Sequence, residues 1–145
     1  MDRFNDLALC VYECKRQDGS ADDVLNLYCA LVIVRSSMVG QEKDPFTETS
    51  ILELFNIVSG GKVYGFRVGP AIFNQGKPAI PARLIGDTLD RLLTMGDELS
   101  AYDWTKEFLC IHPGQDYNGR VAWILYNLKN GTINDLVPLP RFEFN

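Results

Sequence analysis

The chain has 145 residues, 46% apolar and 23% charged, which supports one globular domain with a buried core. Its net charge of −5 excludes a surface built for nucleic acid, which needs a basic stripe. The capture of a single nucleotide at a local helix terminus stays open. The polar, acidic start lacks the basic and apolar regions of a secretory leader, and the longest apolar run, residues 28 to 34, is too short to span a membrane. Four cysteines (Cys10, Cys14, Cys29, Cys110) in apolar surroundings read as reduced thiols and point to the cytoplasm. With one histidine in the chain, a zinc quartet is not expected.

Residues 6 to 16 alternate loosely and fit either helix or strand. Ser20 followed by Asp23 predicts a capped helix from Ala21 to about Ser37, with Leu25, Tyr28, Cys29, Val32 and Ile33 as its apolar stripe. Gly40 and Asp44-Pro45 end it. A shorter helix is expected over residues 48 to 58, with Ile51, Leu52, Phe55 and Val58 inward and Gly60-Gly61 as its stop. Residues 62 to 79 read as an edge β-hairpin turning at Asn74-Gln-Gly, limited by Pro70 and Pro78. Pro81 opens a leucine-rich helix that buries Leu84, Ile85, Thr88, Leu89, Leu92 and Leu93. Ser100 and Asp103 cap another, carrying Trp104, Phe108 and Ile111, which Pro113 and Gly114 terminate. The last helix runs from about Asn118 to Leu128, and the tail with Pro138 and Pro140 is extended. The fold class is therefore mainly α with one hairpin.

Chemistry concentrates in the string H-P-G-Q-D-Y-N-G-R, His112 to Arg120. A helix ends at His112 and another begins at Asn118-Gly119-Arg120, so backbone N–H groups and the helix dipole converge on the loop. Gly119 permits close approach of a phosphate, Arg120 can grip it through two N–H groups, and Asp116 can hold Mg²⁺. A neutral imidazole at His112 can accept a proton from an attacking hydroxyl. Taken singly, Asp116 and Asn118 read as loop caps and Arg120 as a solvated charge; together with His112 they read as a site.

The string resembles the signature of the Fic family, H-P-F-x-D/E-G-N-G-R. Upstream, Tyr64-Gly-Phe-Arg-Val-Gly-Pro-Ala-Ile72 followed by Pro78-Ala-Ile-Pro81 is similar to that family's flap. The resemblance covers residues 63 to 128 of a single domain spanning 1 to 145, with flap, two helices and signature in the same order. It implies a helical Fic-like fold whose hairpin flap holds a protein target by strand addition. It also implies transfer of a nucleotide monophosphate, AMP above all, from a Mg²⁺-bound nucleotide such as ATP to a Ser, Thr or Tyr hydroxyl. On that pattern His112 is the general base and Asp116 the metal ligand. Tyr117, Asn118, Gly119 and Arg120 bind the nucleotide phosphates, while Arg67, Val68, Gly69, Ala71, Ile72 and Phe73 position the target. An antitoxin-like regulator is a further partner the family allows.

Four positions depart from the pattern. Gly114 stands where the family has a core-plugging phenylalanine, which Trp123 or Tyr117 would have to replace. Tyr117 stands where the family has glycine, so it is expected to crowd the anion hole or forbid its positive-φ backbone. Trp123 replaces a second arginine that grips the terminal phosphate. Ser36-Ser-Met-Val-Gly-Gln41 resembles a remnant of an inhibitory segment with Gly40 in place of its glutamate, although Ser36-Ser37 also reads as a plain helix end. These departures imply no glutamate-based self-inhibition and leave a donor other than ATP open. They also leave a second function open: a catalytically silent Fic-like protein that binds a partner through its flap.

Overall fold

The computed structural model describes residues 3–40, 43–73 and 76–144, and over these the protein is mainly α-helical. The helices are α1 (Arg3–Arg16), α2 (Ala21–Gly40), α3 (Glu48–Val58), α4 (Ile85–Met95), α5 (Ala101–Ile111) and α6 (Asn118–Lys129). Among the described residues no helix is long and apolar enough to cross a membrane.

Residues 6 to 16, open between helix and strand in the sequence, lie in α1. Its buried positions, Asp6, Cys10, Glu13 and Cys14, fall at helical spacings. Two of the four are acidic, so an apolar pattern alone could not reveal the period. Helix α2 opens as expected with a capping box: the Ser20 N–H donates to Asp23 (2.8 Å) and the Asp23 N–H donates to the Ser20 hydroxyl (3.3 Å). It continues through Ser36-Ser37 to Gly40, past its expected end. Its buried line is Leu27, Ala30, Leu31 and Arg35, while Leu25, Val32 and Ile33 of the expected stripe are exposed. The helix is apolar on nearly every side, and such a helix does not announce which face turns inward.

Helix α3 matches its expected bounds, with Thr47 accepting from the Ser50 N–H (3.1 Å) and Leu54, rather than Leu52, joining Ile51, Phe55 and Val58 in the core. Of the hairpin expected over residues 62 to 79, only a two-residue ladder forms. Strand β1 (Ile72–Phe73) pairs antiparallel with β2 (Lys77–Pro78), Ile72 opposite Pro78 and Phe73 opposite Lys77. Asn74 and Gln75 of the expected turn lie outside the described residues. Two causes shorten the ladder: Pro70 and Pro78 lack an N–H, and the Arg67 N–H donates to the Pro113 carbonyl (2.9 Å) instead of a neighbouring strand.

A short 3₁₀ turn, Ala82–Leu84, follows Pro81 and leads into α4, which buries Ile85, Leu89 and Leu92 and leaves Leu84 exposed. Ser100 caps α5 by accepting from the Asp103 N–H (3.1 Å). Helix α6 is the centre of the molecule, with Val121, Ala122, Trp123, Ile124 and Leu125 all fully buried. Beside it runs an aromatic column. Phe46 meets Trp104 edge-on (5.2 Å), Trp104 stacks on Phe108 (5.7 Å), and Phe108 stacks on Phe55 (6.3 Å).

The tail after α6 has no regular structure, so its backbone groups need other partners. The fully buried Asn127 supplies several: its amide donates to the carbonyls of Trp123 (3.0 Å) and Val137 (3.1 Å), and its oxygen accepts from the Val137 N–H (3.0 Å) and the Thr132 hydroxyl (2.7 Å). The Trp123 indole donates to the same Val137 carbonyl (2.8 Å). On α1, Glu13 accepts from the Leu139 N–H (3.1 Å) while Arg16 donates to the Leu139 carbonyl (3.0 Å). Arg35, paired with Asp6 (2.8 Å), donates to the Ile133 carbonyl (2.8 Å). Asn127→Leu removes four hydrogen bonds and strands the Val137 N–H. It is expected to cost about 2–4 kcal/mol in urea unfolding, where an exposed change such as Asn130→Ala stays within roughly 0.5 kcal/mol.

Candidate functional site

The signature loop lies between the C-terminus of α5 and the N-terminus of α6. His112 ends α5 in the left-handed region (φ 52°), and Tyr117 enters α6 in the same region (φ 69°). The buried Asn118 closes the loop on itself: its side-chain oxygen accepts from the Gly114 N–H (2.9 Å) and its amide donates to the Gly114 carbonyl (2.8 Å). Asn118 therefore offers its backbone, and not its amide, to a ligand.

Arg67 anchors the other side of the loop. Its buried guanidinium donates to the carbonyls of His112 (2.7 Å), Ile111 (3.1 Å), Gly69 (2.9 Å) and Ile80 (2.5 Å). Positive charge on the last carbonyls of a helix complements its dipole. The side chain expected to meet a target is thus a clamp joining the end of α5 to residues 69 and 80. Val68 (97% exposed) and Ile72 (71% exposed) present themselves outward, and Gly69 and Ala71 are half-buried. The Ala71 carbonyl accepts from the Ala79 N–H (2.9 Å), and Phe73 pairs with Lys77.

The room left by glycine at 114 is filled by Phe55 of α3: a Cβ on Gly114 would come within 2.4 Å of its ring. Neither Trp123 nor Tyr117 does this, because Trp123 faces the tail and Tyr117 lies under Arg120. Tyr117 does not forbid the positive-φ backbone; it adopts it. A left-handed non-glycine residue costs about 1–2 kcal/mol, and the Arg120 guanidinium 4.1 Å above the Tyr117 ring returns a similar amount in a desolvated setting.

Arg120 is turned away from the loop's anion site. It is buried (4% exposed), and its Nη1 lies 3.2 Å from Asp23 in the capping box of α2. The contact is one of charge, since Nη1 and Nε make no directed hydrogen bond. Burial would raise the Asp23 pKa, but the Ser20 N–H, the Arg120 charge and the Tyr117 hydroxyl outweigh it and hold the carboxyl below its ordinary value. Gly119 is covered by Gln17, whose side-chain oxygen would lie 2.4 Å from an added Cβ.

Asp116 is exposed, and one of its oxygens accepts from the Tyr117 N–H (2.7 Å). Among the described residues no group of three His, Cys, Asp or Glu side chains gathers to hold a metal. One exposed carboxylate beside His112 fits Mg²⁺ only where phosphate oxygens complete the shell.

In front of the loop is a cavity of about 860 Å³. His112, Asn118 and Gly119 line it from the signature and Ile72 from β1. Arg16, Gln17 and Asp18 line it from the end of α1, and the tail closes it with residues 139 to 142 and Phe144. Burial, then the Arg67 charge, lower the His112 pKa below its ordinary 6.5, opposed by Asp116 and the Leu109 carbonyl. The imidazole is therefore neutral at pH 7 and able to accept a proton. Sequence reading missed the α1 and tail residues of this cavity. Their one signal is the alternation in the tail, Phe142 and Phe144 buried with Arg141 and Glu143 exposed.

No protein-family model matches the chain, and no curated protein matches it.

Gly114→Ala is expected to cost about 1–3 kcal/mol by pushing on the Phe55 ring and the Asp116 carbonyl, and Phe55→Ala about 3–5 kcal/mol by opening a cavity. In the Phe55→Ala background Gly114→Ala should cost less, the remainder being its contact with the Asp116 carbonyl. Strict additivity in the double-mutant cycle would show that the two positions do not share space.

Proposed function

We propose that the cavity is the active site of a Fic-like transferase that moves a nucleotide monophosphate, AMP foremost, onto a Ser, Thr or Tyr hydroxyl of a target protein. One observation carries the reading: the flap strand at Ile72, the neutral imidazole of His112 and the N-terminus of α6 at Asn118-Gly119 line the same space. A target segment added along β1 brings its hydroxyl to His112. As the hydroxyl oxygen bonds to the α-phosphorus, its proton passes to the imidazole. The bond from that phosphorus to the departing pyrophosphate breaks, and pyrophosphate carries away the electron pair. Asp116 is exposed on the loop and is not among the residues lining the cavity, so Mg²⁺ would be held there only with phosphate oxygens completing its shell, neutralising their charge. Four unbridged cysteines, with Cys29 exposed, support a cytoplasmic setting.

A second reading has its own observation. Arg120 is paired with Asp23, and Gln17 covers Gly119, so the signature's phosphate cradle is filled by the chain itself. That arrangement suits a silent protein that binds a partner through Val68, Ile72 and the neighbouring exposed Tyr64.

Incubation with radiolabelled ATP, Mg²⁺ and cell extract separates the two. On the transferase reading, label appears on a protein acceptor and His112→Ala lowers the rate at least 100-fold while nucleotide binding persists. Because the imidazole pKa is lowered, the rate should decline on acidification at a lower pH than an ordinary imidazole base would give. Equal labelling by His112→Ala would sink the base assignment, and absence of both labelling and nucleotide binding would leave the partner-binding reading.

A further inference from the structure

The chain's own cations are distributed unexpectedly around the cavity. The signature arginine is withdrawn behind Tyr117 and held by Asp23. Two arginines outside the signature, Arg16 at the end of α1 and Arg141 in the tail, line the space that His112 and Gly119 face. Arg16 is oriented by Glu13 (3.1 Å) and the Leu139 carbonyl (3.0 Å), with its side chain still 31% exposed. Arg141 is exposed and has no ion-pair or hydrogen-bond partner among the described residues. Gln17 lines the same space and packs its side chain over Gly119. Among the described residues, Asp18 is the one carboxylate that lines the cavity.

The apolar side of the cavity is as specific as the polar side. Phe142 and Phe144, with ring centres 6.3 Å apart, stand beside Pro140 and Leu139. Both rings are mostly buried and offer the cavity only the surface left open, and aromatic surface together with two guanidinium groups in one cavity suits a ligand with a planar ring and a polyanionic chain.

We propose that Arg16 and Arg141 form the phosphate subsite of this protein, in place of Arg120, and that the ligand is a nucleoside diphosphate or triphosphate whose base lies against Phe142 and Phe144. The transferase reading supplies the ligand class, whereas the subsite rests on the cavity. The Glu13–Arg16 grip on Leu139 sets the tail, and the tail carries both Arg141 and the aromatic wall. Binding therefore requires the α1 corner and the C-terminal tail to act together.

Calorimetric titration of the full chain with ADP, and separately with inorganic pyrophosphate, tests this. Wild type should bind both, ADP the more tightly, with affinity falling as salt rises. Arg141→Ala should weaken both by about tenfold or more, and Arg141→Lys should recover part of the loss. Asp18→Asn, which the left-handed backbone there accepts (φ 58°), should tighten both. Arg120→Lys keeps the charge beside Asp23 and should leave pyrophosphate affinity within twofold. Unchanged binding by Arg141→Ala, a large loss in Arg120→Lys with the fold intact by circular dichroism, or no binding of either ligand by wild type would overturn the subsite. If wild type binds ADP through Arg141 but labels no protein, the transferase reading fails and the subsite stands.

Discussion

The pairing of Arg120 with Asp23 governs this structure. Helix α6 is buried on nearly every side, so a guanidinium on its first turn cannot reach water and must be neutralised inside the protein. Asp23 does so from the capping box of α2, which fixes the corner between α1 and α2 against the N-terminus of α6. Removing Asp23 from such a pair costs about 3–5 kcal/mol, because Arg120 is left charged and buried. Close packing follows at the corner. A Cβ on Gly19 would press on Arg120, and one on Gly119 would press on Gln17. The Arg120 side chain is thereby committed to holding helices together.

That commitment moves the open space. The cavity lies toward the end of α1 and the tail, and its cations come from there. Several contacts immobilise its walls before any ligand arrives: Asn118 on Gly114, Arg67 on the last carbonyls of α5, and Glu13 with Arg16 on Leu139. A site held this way spends little binding energy on ordering itself. Two left-handed residues, His112 and Tyr117, are maintained in the loop by these contacts. Burial keeps His112 neutral, and the buried Glu13 has its pKa raised by desolvation against the pull of Arg16 and the Leu139 N–H.

The aromatic column shows how a missing side chain is accommodated at a distance. Gly114 leaves room in the loop, and Phe55, 59 positions earlier in the chain, extends the Phe46–Trp104–Phe108 stack into it. Nearness in sequence pointed to Trp123 and Tyr117. Packing selects whichever ring the helices carry to the gap, and sequence separation does not limit that choice.

Local chemistry was legible from the residues alone. The caps at Ser20 and Ser100, the glycine stop after α3, the break at Pro113-Gly114 and the start of α6 all depend on groups within a few residues of one another. So the mainly helical class and the placing of His112 between two helix ends were written in the sequence. The inward face of α2, the shortness of the flap ladder, the retreat of Arg120 and Arg67 into the interior, and the gathering of Arg16, Gln17 and Arg141 around the cavity were decided only by the fold. Burial and charge pairing join residues far apart in the chain, and a guanidinium takes whichever carboxylate or carbonyl the packing brings to it.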